Sequence, residues 1–265
     1  MLFSIITPNY NGGKFLEQTL RSVISQADDG IELEYIIVDG GSTDNSHEII
    51  EKYSQQLARI IIESDSGPAN AINKGLAAAN GEVLAWLNAD DFYYPGALRR
   101  VRQALQCRPE SALCFGGCPI IDAQGQEIRA GITRFKEFFY PLSSRFIFQC
   151  INYLSQPALF FRRSAFAQAG PLREDMIAAW DYEFLLRLWR SGEAVQVPGA
   201  PLAAFRWHEQ SISGQQFAAQ FREEYEAAQA DAGRFSPQAV AHFFVRWGIV
   251  GIYSLMASRR RTSCA

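Results

Sequence analysis

The 265-residue chain is 48% hydrophobic and 20% charged, the composition of a soluble globular protein built as one large domain or one domain with an appendage. A formal net charge of −3 excludes a general electrostatic attraction to nucleic acid. The five cysteines at 107, 114, 118, 150 and 264 match no zinc spacing, so they read as reduced thiols of a cytoplasmic protein.

Residues 2–7 are short, apolar and β-branched, the pattern of a buried strand. With no basic start and Pro8 directly after it, this run does not read as a secretory signal. Residues 15–26 place Leu16, Leu20, Val23 and Ile24 on one helical face. Residues 35–38 form the next strand. Asn45, with Glu48 three residues on, reads as a capping box opening a helix with Ile49, Ile50 and Tyr53. Strand 59–63, helix 68–79, strand 82–87, a helix opened by Pro95 and strand 112–115 follow. This alternation predicts an α/β, Rossmann-like, mostly parallel central sheet flanked by helices on both faces.

Beyond residue 115 the pattern is less regular. Residues 116–134 read as a hairpin turning at Ala123-Gln124-Gly125, and the aromatic-rich stretch 135–153 resists assignment. A strand at 157–162, a helix at 181–190 and a strand at 200–208 follow. Phe217, Phe221 and Tyr225 form one stripe of a long polar helix. Residues 239–257 are mostly apolar and precede Arg259-Arg260-Arg261. They read either as a helix packed on the domain or as an interfacial helix on anionic head groups, since the clean run is too short to span a bilayer.

In such sheets ligands bind beyond the carboxyl ends of the strands, and the polar clusters fall there. Thr7-Pro8-Asn9-Tyr10-Asn11 ends the first strand and offers carbonyls and a flat tyrosine to a nucleobase. Asp39 ends the second strand and can accept from a base N–H. Gly40 and Gly41 after it let the backbone approach a ligand. Asp65 suits a ribose hydroxyl or the base. Lys74, beside Asn73, either faces a diphosphate or is solvated. Asp90 and Asp91 end the fourth strand. Two adjacent acids there favour a shared hard cation, Mg²⁺ or Mn²⁺, bound together with a substrate phosphate. Asp181 is either a helix N-cap or a general base in an aromatic wall. His208 is either structural or a nitrogen ligand to the cation, and Arg206 suits a leaving phosphate.

Taken in order, Thr-Pro-Asn-Tyr-Asn (7–11), Val-Asp-Gly-Gly-Ser-Thr-Asp (38–44), Asp-Ser-Gly (65–67), Asn-Lys-Gly (73–75), Leu-Asn-Ala-Asp-Asp (87–91), Gln-Pro-Ala-Leu-Phe-Phe-Arg-Arg (156–163), Asp-Tyr-Glu (181–183) and Arg-Trp-His-Glu-Gln-Ser (206–211) resemble the family 2, GT-A-fold inverting glycosyltransferases. The resemblance covers nearly all of residues 2–212. It implies a GT-A domain at 1–212, with a nucleotide-binding half at 1–117 and an acceptor-binding half at 118–212. Residues 213–265 would then be C-terminal helices with possible peripheral membrane contact.

The resemblance also implies site roles. Pro8, Tyr10, Asp39 and Asp65 would hold the nucleotide of a UDP-sugar. Asp90 and Asp91 stand at the Asp-x-Asp metal motif, with Asn88 in place of its first acid. Asp181 matches the catalytic base, and His208 a position that reaches metal or diphosphate. The partners implied are a nucleotide sugar and a saccharide or lipid-linked acceptor, in cell-surface glycan biosynthesis. The competing readings are a sugar-nucleotide nucleotidyltransferase, which should carry a basic glycine-rich loop where only Lys14 is basic, and a non-catalytic carbohydrate-binding subunit.

Overall fold

The computed structural model describes residues 1–27, 30–208 and 216–248. The first half follows the expected alternation: β1 (Leu2–Asn9), α1 (Gly13–Ile24), β2 (Glu32–Asp39), α2 (Ser46–Lys52), β3 (Arg59–Ile62), α3 (Pro68–Ala78), β4 (Val83–Trp86), β5 (Phe92–Tyr93), α4 (Ala97–Cys107) and β6 (Leu113–Phe115). There follow β7 (Ile120–Ile121), α5 (Ala130–Phe138), α6 (Arg145–Cys150), β8 (Leu159–Arg162), α7 (Arg163–Ala169), α8 (Trp180–Leu188), β9 (Ala194–Gln196), β10 (Ala203–Arg206) and α9 (Phe217–Ala232). Residues 237–248 are again helical.

Seven strands form one sheet in the order β3-β2-β1-β4-β8-β6-β9. β8 runs antiparallel between β4 and β6, and the other pairings in this sheet are parallel. A smaller sheet, β5-β10-β7, lies beyond. Because side chains alternate along a strand, β1 sends Phe3 and Ile5 into one core layer and Ile6 into the other. The first layer holds Leu16 and Leu20 of α1 and Leu98 of α4. The second holds Ile72 of α3 and Trp86, with Trp180 and Phe184 of α8. At Gly75, α3 passes so close to β1 that a Cβ would collide with Ile6, so this glycine sets how α3 and the loop before it sit on the sheet.

Three expectations change. The hairpin at 116–134 shrinks to a tight turn in which Asp122 Oδ1 accepts from the backbone of Gln124 and Gln126. A single bridge, Ile121 to Glu127, closes it, and the chain enters α5 at Ala130. The capping box at Asn45 does not form. Asp44 does the work instead, accepting from the N–H groups of Ser46 (3.0 Å) and Gly13 (2.9 Å) and so tying α2 to α1. Helix α4 begins at Ala97, two residues past Pro95, because Gly96 takes a left-handed conformation (φ 73°).

The tail shows one face of a packed helix. α9 docks on α8 and α6, with Ala227 and Ala228 in the core. In the following segment Ala239 and His242 are buried, whereas Phe244 and Trp247 are 68% and 58% exposed. No helix among the described residues is long and apolar enough to cross a membrane. Residues 249–265, which carry the arginine run, lie outside the described residues. Cys107, Cys114, Cys118 and Cys150 are unpaired, and Cys264 lies outside the described residues.

Candidate active site

A cleft of about 1670 Å³ runs along the carboxyl edge of β1–β4 and under α5, α8 and α9. Its sheet-side wall comes from Pro8, Tyr10, Gly40, Asp65, Asn88 and Asp90. His208 stands on the same side beside Asp90, and the far wall comes from Lys136, Asn152, Trp180, Asp181 and Glu224. The volume exceeds the few hundred to roughly 1,000 Å³ of single-ligand sites, leaving room for two substrates.

The end of β1 supplies Pro8, and the loop after it an outward tyrosine, Tyr10, 67% exposed at the cleft rim. Asp65 enters over the end of β2. A Cβ at Gly40 would collide with its carboxylate, so glycine there permits the approach. Asp65 Oδ1 also accepts from Gly67 N at 2.9 Å and fixes the turn into α3, where Gly67 holds φ 127°.

At the end of β4 the two aspartates separate. Asp90 faces the cleft, and His208 Nε2 lies 2.9 Å from its Oδ2. Asp91 is 1% exposed. Its Oδ1 accepts from the Arg206 backbone N–H at 2.8 Å, and its Oδ2 from Asn88 at 3.3 Å. Burial first, and the Asp90 charge second, hold the Asp91 carboxyl well above the usual range. Thr19 clamps the same turn from below, donating to the carbonyls of Ala89 and Asp91. Asp91 is therefore buried within the loop, and Asp90 presents its carboxylate to the cleft.

Among the described residues no three His, Cys, Asp or Glu side chains converge into a closed metal cage. The Asp90–His208 pair fits the other mode of binding. Mg²⁺ and Mn²⁺ are held by one or two protein groups while substrate phosphates complete the shell. Both side chains are partly solvent-accessible at the cleft, as that mode requires.

On the opposite wall Asp181 stands in the first turn of α8. Burial among the aromatics pushes its carboxyl up to about 6, against the Tyr182 backbone N–H and the charge of Lys136. No side-chain cap bond forms at the start of α8. The Asp181 Oδ1 contact is to its neighbour Tyr182 N at 2.7 Å. A carboxyl raised in this way at the wall of a cleft has the chemistry to take a proton from a bound hydroxyl.

Several expected contacts are placed elsewhere. Thr7 is buried, its hydroxyl 3.0 Å from the Tyr35 hydroxyl. Asp39 is fully buried and saturated. Its oxygens accept from the backbone of Gly41 and Ser42, the Ser42 hydroxyl, Asn9 Nδ2 and His47. Burial opposes its ionisation, but these bonds outweigh it and hold the carboxyl below its ordinary range. Asp39 thus shapes the β2 loop instead of lining the cleft. Asn73 bonds Leu172 and Glu174, and Lys74 bonds Glu63 (2.9 Å) and the Ser64 carbonyl, so both brace the back of α3. Arg206, 2% exposed, donates to the carbonyls of Asp90, Asp122 and Ala123 and to Gln18, and lies 4.4 Å from the Phe15 ring centroid. It organises the Asp90 turn from behind.

Residue-level reasoning passed over Lys136, Asn152 and Glu224. Burial pushes Glu224 up to about 7, against bonds from Asn152 and Gln220. Burial also lowers Lys136, against the charges of Cys118, Glu224 and Asp181. One signal was present for Glu224. It falls three residues after Phe221 and four before Ala228, so an acid interrupts the apolar stripe of α9.

The architecture matches that of S. aureus TarS 1–349 solved with UDP-GlcNAc, with TM-score 0.67 and 20% identity over 86% of this chain and 66% of that one. It also matches the mannosyltransferase PcManGT from Pyrobaculum calidifontis in complex with GDP-Man and Mn²⁺, with TM-score 0.63 and 16% identity over 99% of this chain and 80% of that one. These likenesses carry the GT-A fold. In sequence, the O-antigen biosynthesis protein RfbC of Myxococcus xanthus is 32% identical over 192 residues, 71% of this chain and 14% of that protein. A PGL/p-HBAD biosynthesis glycosyltransferase of Mycobacterium bovis is 32% identical over 187 residues, 68% of each. The chain spans a third or less of the length of several curated relatives it matches. The family model described as glycosyl transferase family 2 matches residues 4–170, more than half of the sequence, and the chain belongs to that family.

Proposed function

We propose that this chain is a metal-dependent, inverting glycosyltransferase that moves a sugar from a nucleotide-sugar donor, a UDP-sugar, to a saccharide or lipid-linked acceptor in cell-surface glycan synthesis. The observation that carries this reading is the pairing, across one cleft, of a cation-type site (Asp90, His208) with a desolvated carboxyl (Asp181). The relatives named for O-antigen and glycolipid synthesis, and the neighbours solved with UDP-GlcNAc or with GDP-Man and Mn²⁺, support it.

Pro8, Tyr10 and Asp65 take the nucleoside, with Tyr10 as the stacking surface. Asp90 and His208 would hold Mn²⁺ or Mg²⁺, and the bound ion would supply positive charge against the departing diphosphate. Asp181 accepts the proton of the acceptor hydroxyl. That oxygen bonds the anomeric carbon as the bond to the diphosphate breaks on the opposite face, and the nucleoside diphosphate leaves. One base and one displacement give inversion. A double displacement would need a carboxylate nucleophile as well.

We assign residues 1–117 to the donor, 118–212 to the acceptor and 213–265 to an extension. The exposed Phe243, Phe244 and Trp247 beside Arg246 suit contact with the cytoplasmic face of a membrane. The test is thermal melting with UDP and Mn²⁺, followed by hydrolysis of a panel of sugar nucleotides. A melting shift that needs both UDP and metal, and release of a sugar with inverted configuration, are expected. No shift and no hydrolysis across the panel contradict the reading.

A further inference from the structure

We propose that Glu224, Asn152 and Lys136 form a subsite for the hydroxyl groups of a sugar ring on the acceptor, so that the incoming substrate is a glycoside and not a bare lipid alcohol. This rests on the glycosyltransferase reading above, and deepens it.

The three side chains reach one place from three elements: Lys136 from α5, Asn152 from the segment after α6, and Glu224 from α9. All line the cleft that Asp181 lines. Glu224 is 4% exposed. Asn152 Nδ2 and Gln220 Nε2 both donate to its Oε1, each at 3.1 Å. Asn152 Oδ1 is itself buried, with no hydrogen-bond partner among the described residues. One buried acceptor in this polar corner, beside the Glu224 carboxyl, therefore lacks a donor. Buried acceptors are normally satisfied, and their exceptions ask for a partner. Lys136 supplies the complementary charge. It is anchored by the Leu154 carbonyl (3.3 Å) and the Ser155 hydroxyl (3.2 Å), and both Asp181 and Glu224 feel its field.

A docking role for Glu224 is weakened by its neighbours. Glu223 already caps the N–H groups of Ile177, Ala178 and Ala179 at 2.9–3.0 Å. Asp231 already takes Arg145 and Arg190. With Ala227 and Ala228 these contacts seat α9. Glu224 is the acid of that helix turned into the cleft.

Vicinal hydroxyls of a pyranose are paired donors about as far apart as a carboxylate and an amide oxygen can serve together. An alcohol without a ring would leave these acceptors unpaired, the arrangement by which polar sites reject analogues.

The experiment uses the full chain with whichever donor the hydrolysis panel identifies. Acceptors are p-nitrophenyl glycosides of common hexoses, set against 1-octanol and p-nitrobenzyl alcohol, with products read by mass spectrometry. Saturable transfer to at least one glycoside is expected. Glu224→Gln and Asn152→Ala should each raise the acceptor KM ~10-fold or more, the effect of a hydrogen bond lost to a charged or buried acceptor, while the donor KM moves far less. Glu224→Asp should recover part of the loss, which a packing defect would not do. An unchanged acceptor KM in both variants overturns the proposal. So does a native chain that hydrolyses donor yet transfers to no glycoside, or only to the simple alcohols. A chain that neither binds UDP with Mn²⁺ nor hydrolyses any donor overturns the glycosyltransferase reading itself.

Discussion

The two walls of the cleft are built differently. The sheet-side wall is made by short loops at the ends of β1 to β4, each fixed by strands whose partners are dictated by parallel pairing. The far wall is made by α5, α8, α9 and the segment after α6, joined by packing of Phe148, Tyr153, Tyr182 and Trp189 and by the Glu223 and Asp231 contacts that seat α9. Parallel pairing brings the ligand-facing groups together at the carboxyl edge of the sheet. The opposite wall has no such regular pairing to set it. In the proposed reaction the nucleotide would meet the first wall and the acceptor the second.

The largest test of this division is Asp181→Asn. It should lower turnover by ~10²–10⁴, the usual contribution of a general base, while UDP–Mn²⁺ affinity measured by calorimetry stays within a few-fold. Its pH profile sharpens the point. Asp181 works only when ionised, and burial pushes its carboxyl up to about 6, so turnover at saturating acceptor should rise with pH through about 6 and level above it. The substituted chain should lose that limb. Unchanged turnover removes Asp181 from the chemistry.

The next test separates neighbours on the first wall. Asp90→Ala should weaken metal-dependent UDP binding at least ~10-fold with little change in Tm, because its carboxylate faces the cleft. Asp91→Ala should do the reverse. It strands the Arg206 N–H, costs about 1–3 kcal/mol and lowers Tm by several degrees. Equal effects on UDP binding would mean that both carboxylates serve the cation.

The smallest effect is expected at the tail. Replacing Phe244 and Trp247 by serine should reduce co-sedimentation with anionic liposomes severalfold and leave donor hydrolysis intact. Equal sedimentation favours a helix that serves only to pack.

The sequence carried the first wall well. Short continuous apolar runs located the strands, and their carboxyl ends and the turns that follow had to hold Pro8, Tyr10, Asp65 and Asp90. Which of Asp90 and Asp91 faces outward was not readable, because a tight turn rotates adjacent side chains apart and only Arg206 and Thr19, far away in sequence, fix the rotation. The same distance explains Arg206. A charge at a strand end suggests phosphate, but its donors are consumed by backbone carbonyls from two other segments and by the Gln18 side chain. Asn73 and Lys74 share a motif with the site yet lie on the back of α3, since helical periodicity turns them away from the cleft. Antiparallel β8 and the early start of α5 depend on long-range packing, and so does the far-wall group of Lys136, Asn152 and Glu224. Its one local trace was an acid inside an apolar stripe.

The account depends most on the cation joining the donor to the first wall at Asp90 and His208. A crystal structure of the chain with UDP and Mn²⁺ tests it directly. The account predicts Mn²⁺ bonded to the Asp90 carboxylate, His208 Nε2 and the diphosphate, with Asp91 still on the Arg206 backbone. Mn²⁺ bound away from Asp90, or UDP seated with no metal beside it, would contradict it.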